Sequence, residues 1–190
     1  MQPVHSPHTL RAWRGRWQVF GLGFLLLLTA CTTVINGRFA SPYKLAAFSQ
    51  NYVSVKVFLE EDKQQKTFLL ATFTPEKGYH LYSKDIPRQG VSGEGRPTLL
   101  EPGPQSQMHP IGELTASAQD EVAGMGTDAL LVYPAGPVTL RLEVRLPTGT
   151  GWHEDQISVT YMACSQSTCR PPVIGKLVAV KVPGSAGTQP

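Results

Sequence analysis

The chain has 190 residues, of which 41% are hydrophobic and 16% charged, a composition that suits one globular domain with a core. Three arginines near the amino terminus, Arg11, Arg14 and Arg16, account for the formal charge of +3, because the remainder of the chain carries 14 basic and 14 acidic residues. A domain without net charge lacks the excess of basic residues that contacts nucleic-acid phosphates, so we expect no nucleic-acid partner.

Residues 1–30 contain a charged segment and then an apolar run, in the order typical of a secretory signal peptide. The arginines precede an apolar run of 12 residues, Val19–Ala30, which is short for a bilayer span of ~20 residues and suits a signal-peptide core. Leu28–Cys31, "LTAC", resembles the bacterial lipobox, which implies cleavage before Cys31 and a lipid on its sulfur. An uncleaved anchor is the alternative, and both place the following residues outside the cytoplasm. The residue after the cysteine is Thr32, not the Asp associated with inner-membrane retention, which favours the outer membrane.

The next segment, residues 31–50, shows little periodicity, and we interpret it as a tether between the lipid and the domain. Alternating or β-branched runs then predict seven or eight strands, and no stretch of ten or more residues has helical spacing. This pattern favours an all-β fold, an antiparallel β-sandwich over residues 51–183, followed by a flexible tail, residues 184–190. The predicted strands are Tyr52–Glu61, Thr67–Pro75, Thr98–Leu100, the end of Gly112–Pro134, Pro137–Pro147, Gln156–Cys164 and Val173–Val182.

Two cysteines, Cys164 and Cys169, lie between the last two predicted strands. A hairpin can bring their Cα atoms within the ~4.4–6.8 Å that a disulfide requires, and outside the cytoplasm such a pair is oxidised at least part of the time. Three interpretations remain open: a structural staple, half of a metal site with His153 as the nearest imidazole and Met162 as a weaker candidate ligand, or a redox centre. The closed loop is short, so its stabilisation is smaller than that of a long-loop bridge.

The segment "VTYMACSQSTCRPPV", Val159–Val173, resembles the amino-terminal domain of the thiol:disulfide interchange protein DsbD. In that family a strand of the form Val-Thr-Tyr-x-x-Cys leads through a short loop to Cys and then Pro-Pro. "PEKGYHLYSKDIP", Pro75–Pro87, is similar to the family's Gly-Tyr-Tyr-Leu-Tyr segment, with His80 in place of the second tyrosine. "QDEVAG", Gln119–Gly124, is similar to its cap loop, Asp-Glu-Phe-x-Gly. This chain has one residue fewer between its cysteines than the family's best-known member.

The resemblance implies an immunoglobulin-like sandwich with a redox-active cysteine pair on an edge hairpin, and an electron shuttle without cofactor or metal. It implies a membrane-embedded thiol carrier of the DsbD or CcdA kind as one partner and extracytoplasmic thioredoxin-like proteins as the others. Cys169 takes the position of the cysteine that partners attack, and Cys164 that of the resolving cysteine. The family's cap, here Asp120, Glu121 and Val122, covers the disulfide until a partner arrives.

Other residues near the motif are candidates for the same chemistry. Asp120 and Glu121 could accept a proton or raise a thiol pKa. Tyr82 could donate a hydrogen bond near the sulfurs, with His80 beside it, and Arg170 could favour the thiolate. A solvated acid, a core tyrosine and a surface arginine are the ordinary alternatives. The alternative function is a non-catalytic lipoprotein adaptor whose hairpin disulfide is structural.

The leader predicts lipidation of Cys31. Mass spectrometry of protein extracted from membranes of the native host should find an amino terminus at Cys31 that carries acyl chains, because the charged segment, apolar run and "LTAC" occur in signal-peptide order. A Cys31→Ser variant should lose the acyl mass. Recovery of the unprocessed Met1 terminus from the wild-type chain would contradict the prediction.

Overall fold

The structure is a computed structural model that describes residues 39–123 and 130–185. The predicted signal peptide and the lipidation site at Cys31 lie outside these residues. Within them the chain forms β-strands and no helix, so this part of the chain contains no helix that could span a membrane. The strands are β1 Tyr43–Gln50, β2 Val53–Glu61, β3 Thr67–Pro75, β4 His80–Leu81, β5 Leu99–Pro102, β6 His109–Pro110, β7 Thr115–Ala116, β8 Glu121–Ala123, β9 Leu130–Val132, β10 Val138–Arg145, β11 Trp152–Tyr161, β12 Ala163–Cys164 and β13 Val173–Pro183.

Two antiparallel sheets form the body of the domain. The larger has the order β1-β2-β3-β10-β6, with β7 also paired to β10, and the smaller has the order β13-β11-β5. Two short ladders, β12 with β4 and β8 with β9, lie outside these sheets. The predicted all-β fold class, an antiparallel β-sandwich, is confirmed.

The core consists of the side chains that alternate inward from both sheets. Val138–Arg145 is buried at every second residue, as the sequence pattern predicts. Leu69 and Leu140 from the larger sheet join Ile157 and Val159 from the smaller sheet in one apolar cluster, and all four are fully buried. Burial of these faces against each other is what holds the two sheets together.

An irregularity at the end of β11 takes the chain out of the smaller sheet just before the cysteines. The register of β11 against β13 shifts between Val159 and Tyr161. At this bulge the backbone N–H of Gly175, which has a φ of 58°, donates to Oγ1 of Thr160 at 2.9 Å. Bulges re-aim a strand, and the next residues, β12, pair with β4 instead of continuing along β13. The single strand predicted over Gln156–Cys164 is therefore two.

Both ends of the predicted domain extend further than the sequence pattern indicated. Tyr43–Gln50, placed in the predicted tether, is β1 and pairs with β2 along its length. A register shift between Lys44 and Ala46 interrupts its alternation, which explains the missing periodicity. In the predicted tail, the backbone N–H of Ser185 donates to the carbonyl of Pro147 at 2.7 Å. Residues 186–190 lie outside the described part of the chain.

The packed faces predict how two leucines differ in their effect on stability. Leu140→Ala should lower the free energy of unfolding by about 2–5 kcal/mol, because Leu140 is 0% exposed and its truncation leaves a cavity. Leu177→Ala, at a residue that is 52% exposed, should lower it by less than about 1 kcal/mol. Urea unfolding followed by circular dichroism measures both, and equal losses would contradict the assignment of the core.

Candidate functional site

Cys164 and Cys169 form a disulfide across a tight turn, with their Cα atoms 4.0 Å apart. Ser165 organises the turn: its backbone N–H and its hydroxyl both donate to the carbonyl of Thr168, at 2.8 and 3.0 Å. The backbone N–H of Arg170 donates to the carbonyl of Ala163 at 2.8 Å, which closes the base of the loop. The following strand, β13, begins four residues after Cys169, at Val173, where the predicted strand Val173–Val182 begins.

The two sulfur-bearing residues differ in their access to solvent. Cys164 is 1% exposed and belongs to a small apolar cluster with Tyr82, Ile86 and Val132, whereas Cys169 is exposed. Disulfide exchange requires in-line access to the sulfur that is attacked. An incoming thiolate can therefore reach Cys169, while Cys164 is shielded by the domain.

Tyr82 directs its hydroxyl at the sulfurs. The hydroxyl donates to Sγ of Cys164 at 3.1 Å and lies 3.9 Å from Sγ of Cys169. Burial raises the pKa of Tyr82 above its usual value, and the negative charge of Glu94 raises it further. The phenol is therefore protonated at neutral pH and available as a donor. The sequence prediction of a hydrogen bond between Tyr82 and the sulfur pair agrees with this geometry.

His80, not His153, is the imidazole beside the cysteines. His80 lies opposite Cys164 in the β12–β4 ladder, and its ring packs edge-on against Tyr82 with the ring centres 5.9 Å apart. Burial lowers the pKa of His80, so the ring is neutral at neutral pH. His153 is near the start of β11, about 26 Å along the strand from Tyr161. Among residues 39–123 and 130–185, no three His, Cys, Asp or Glu side chains converge as a metal site.

Arg170 follows Cys169 in the sequence, and its guanidinium lies over two aromatic rings. Its guanidinium carbon lies 3.8 Å from the ring centre of Tyr52 and 5.6 Å from that of Tyr79, a cation–π arrangement. Next to it, the side-chain amide of Asn51 donates to the carbonyl of Pro171 at 2.7 Å. These contacts anchor the chain after Cys169, and an effect of Arg170 on the thiolate stays a prediction.

The predicted cap residues lie beside the site on the β8–β9 hairpin. The carboxylate of Asp120 accepts a hydrogen bond from the buried hydroxyl of Ser83 at 2.7 Å and so is directed at Ser83, not at a sulfur. Glu121 is exposed, and Val122, which replaces the family's aromatic residue, is 67% exposed. From this hairpin, Ala123, Leu130 and Leu131 pack against the cluster around Tyr82 and Cys164. Residues 124–129, which follow β8 in the sequence, lie outside the described part of the chain.

An open cleft of about 390 Å³ adjoins Cys169, and we call it the sulfur-side cleft. Tyr82 lies at its base, Gly93–Arg96 form one wall, and Met162 and Pro172 form the other. Gly93–Arg96 lies outside every predicted strand and was given no role in the site. The glycine-rich sequence around it, "GVSGEGR", is a signal that could have found it, because glycine allows the backbone to pack closely against a side chain. A larger cleft of about 620 Å³, lined by residues such as Leu99, Met108 and Leu142, contains neither cysteine.

Two solved structures align with parts of this chain. The crystal structure of the amino-terminal domain of DsbD from Neisseria meningitidis, in the reduced form, aligns with a TM-score of 0.39 and 15% identity, over 61% of this chain and 76% of that one. The amino-terminal periplasmic domain of ScsB from Proteus mirabilis aligns with a TM-score of 0.44 and 7% identity, over 75% of this chain and 52% of that one. No family model and no curated protein sequence matches the chain.

The hydrogen bond from Tyr82 predicts the acidity of Cys164 in the reduced protein. In a Cys169→Ala background, Tyr82→Phe should raise the pKa of the Cys164 thiol by about one unit, because the thiolate loses a hydrogen-bond donor. The ultraviolet absorbance of the thiolate, followed against pH, measures this. Tyr133→Phe is the control, since the Tyr133 hydroxyl contacts the backbone N–H of Lys84 instead. An identical pKa in both variants would contradict the assigned role of Tyr82.

Proposed function

We propose that this protein exchanges thiols and disulfides outside the cytoplasm through the Cys164–Cys169 pair. It passes reducing equivalents from a membrane-embedded thiol carrier to extracytoplasmic thioredoxin-like proteins while a lipid on Cys31 holds it at the membrane. The observation that carries the proposal is the contrast between the two cysteines, of which Cys169 is exposed and Cys164 is 1% exposed beneath a hydroxyl donor. A disulfide that only stabilised the fold would not require this contrast.

The exchange proceeds in two displacements. A thiolate of the reduced donor attacks Sγ of Cys169, the Cys164–Cys169 bond breaks, and Cys164 leaves as a thiolate that Tyr82 stabilises by its hydrogen bond. The donor's second thiol then displaces Cys169, so that the donor is oxidised and this protein holds two thiols. In the opposite half-reaction, the Cys169 thiolate attacks the acceptor's disulfide and Cys164 resolves the mixed disulfide.

Trapping of mixed disulfides tests the proposal. In Cys164→Ala, a partner joined to Cys169 has no neighbouring thiol to displace it, so acid-quenched extracts of the native host should contain adducts that disappear on reduction. Cys169→Ala should give far fewer adducts, because Cys164 is buried. Mass spectrometry of the adducts identifies the partners. Equal yields from the two variants would contradict the assignment of Cys169 as the attacked cysteine.

The reduction potential distinguishes exchange from the adaptor alternative. Structural disulfides have potentials below about −300 mV, whereas disulfides that exchange lie above this value. Equilibration of the wild-type domain with a glutathione redox buffer should therefore give a mixture of protein with the Cys164–Cys169 disulfide and protein with two free thiols. Failure of glutathione to reduce the pair, together with an absence of adducts, would favour a structural disulfide in a binding module.

A further inference from the structure

The wall of the sulfur-side cleft formed by Gly93–Arg96 is fixed by one side chain. A terminal nitrogen of the Arg96 guanidinium donates to the carbonyl oxygens of Gln89 at 2.8 Å and Gly93 at 3.0 Å, and also to that of Gly95. Because one planar group binds carbonyls from both ends of the loop, it holds the loop in a single shape. The loop is further closed by two backbone hydrogen bonds of 2.9 Å between Val91 and Glu94.

The loop backbone lies directly on Tyr82. Gly95 has a φ of 77°, and a Cβ there would lie 3.2 Å from the Tyr82 ring and 3.3 Å from the side chain of Ile86. Glycine is therefore required at this position for both its backbone conformation and its size. This contact sets the distance between the loop and the residue that hydrogen-bonds the sulfur.

The opposite wall is apolar and adaptable. Met162 has an unbranched thioether side chain that can adjust to an occupant, and it packs against the cluster that contains Cys164. Pro172 has no backbone N–H, so it adds surface without a donor. The two charged residues of the cleft, Glu94 and Arg96, have opposite signs, so the cleft as a whole favours an uncharged occupant.

We propose that the sulfur-side cleft binds an extended, uncharged segment of the partner polypeptide next to its reactive cysteine, with Arg96 as the positioning residue of the cleft. This inference rests on the proposed exchange function. A partner sulfur can bond to Sγ of Cys169 only if the adjoining residues lie on the surface beside Cys169, and the cleft is the concavity there. Its volume of about 390 Å³ is within the range of pockets that hold a small ligand.

The test compares a peptide disulfide with a small one. The peptide is acetyl-Ala-Ala-Cys-Ala-Ala-amide, joined to a second copy through its cysteine, and the small compound is 2-hydroxyethyl disulfide. In either reaction the Cys169 thiolate attacks one sulfur and a thiolate leaves, and Cys164 then displaces the second. The protein loses two electrons and forms its disulfide, while the substrate gains two electrons and, with the protons of the two protein thiols, becomes two thiols.

The wild-type protein should react faster with the peptide than with 2-hydroxyethyl disulfide. Arg96→Lys keeps the charge but loses the planar group that binds three carbonyls, so this preference should fall about fivefold, as expected for the loss of about 1 kcal/mol. Met162→Ala should lower the preference as well, because it removes most of the opposite wall. Arg88→Gln is the matched control: Arg88 is exposed, pairs with Glu101 and does not line this cleft.

The rate with 2-hydroxyethyl disulfide is the control for an intact cysteine pair. It distinguishes a failure of the cleft proposal from a failure of the exchange function and from misfolding of a variant. This rate should stay at the wild-type value in Arg88→Gln, and in Arg96→Lys and Met162→Ala it should fall by a smaller factor than the rate with the peptide, which shows that the pair is intact. If the wild-type protein has no preference for the peptide, or if Arg88→Gln lowers the preference as much as Arg96→Lys, the cleft proposal is wrong while the exchange function stands. If the wild-type protein oxidises with neither compound, both proposals are wrong.

Discussion

The contact between the inner faces of the two sheets determines where the sulfurs lie. Ile157, Val159 and Tyr161 of β11 are fully buried in it, and the Tyr161 hydroxyl donates to the carbonyl of Gln50 at the end of β1. Burial in this contact raises the pKa of Tyr161 to about 12, so its hydroxyl stays protonated and keeps this bond. Because β11 is held along this length, the bulge at its end delivers β12 and Cys164 to a fixed position beside Tyr82.

Much of the fold could be predicted from the sequence because alternation records which side of a strand is buried. β3 has the predicted bounds, and β10 and β13 differ from prediction by two residues or fewer. β1 was missed because its bulge between Lys44 and Ala46 breaks the period of two, and the switch after Val159 was missed because a bulge leaves no composition signal. Both misses arise where tertiary pairing overrides a local pattern.

The candidate site could be predicted only where its members are neighbours in the chain or belong to a recognisable motif. The proximity of the two cysteines and the hydrogen bond from Tyr82 could be anticipated in this way. Arg170 was a candidate for an effect on the thiolate because it follows Cys169, with a surface arginine as the ordinary alternative; its position on Tyr52 could not be read from the sequence. The wall formed by Gly93–Arg96 is far from the cysteines in sequence, and only the folded chain brings it to Tyr82.

Anchors on both sides of the disulfide loop limit how far the sulfurs separate when the bond opens. Ala163 and Arg170 remain joined through their backbones, and Asn51 holds the carbonyl of Pro171. The thiol of Cys164 therefore stays next to any partner attached to Cys169, at a high effective molarity. A covalent complex formed at Cys169 should have a short lifetime. In the exchange function that we propose, this arrangement favours quick release of partners.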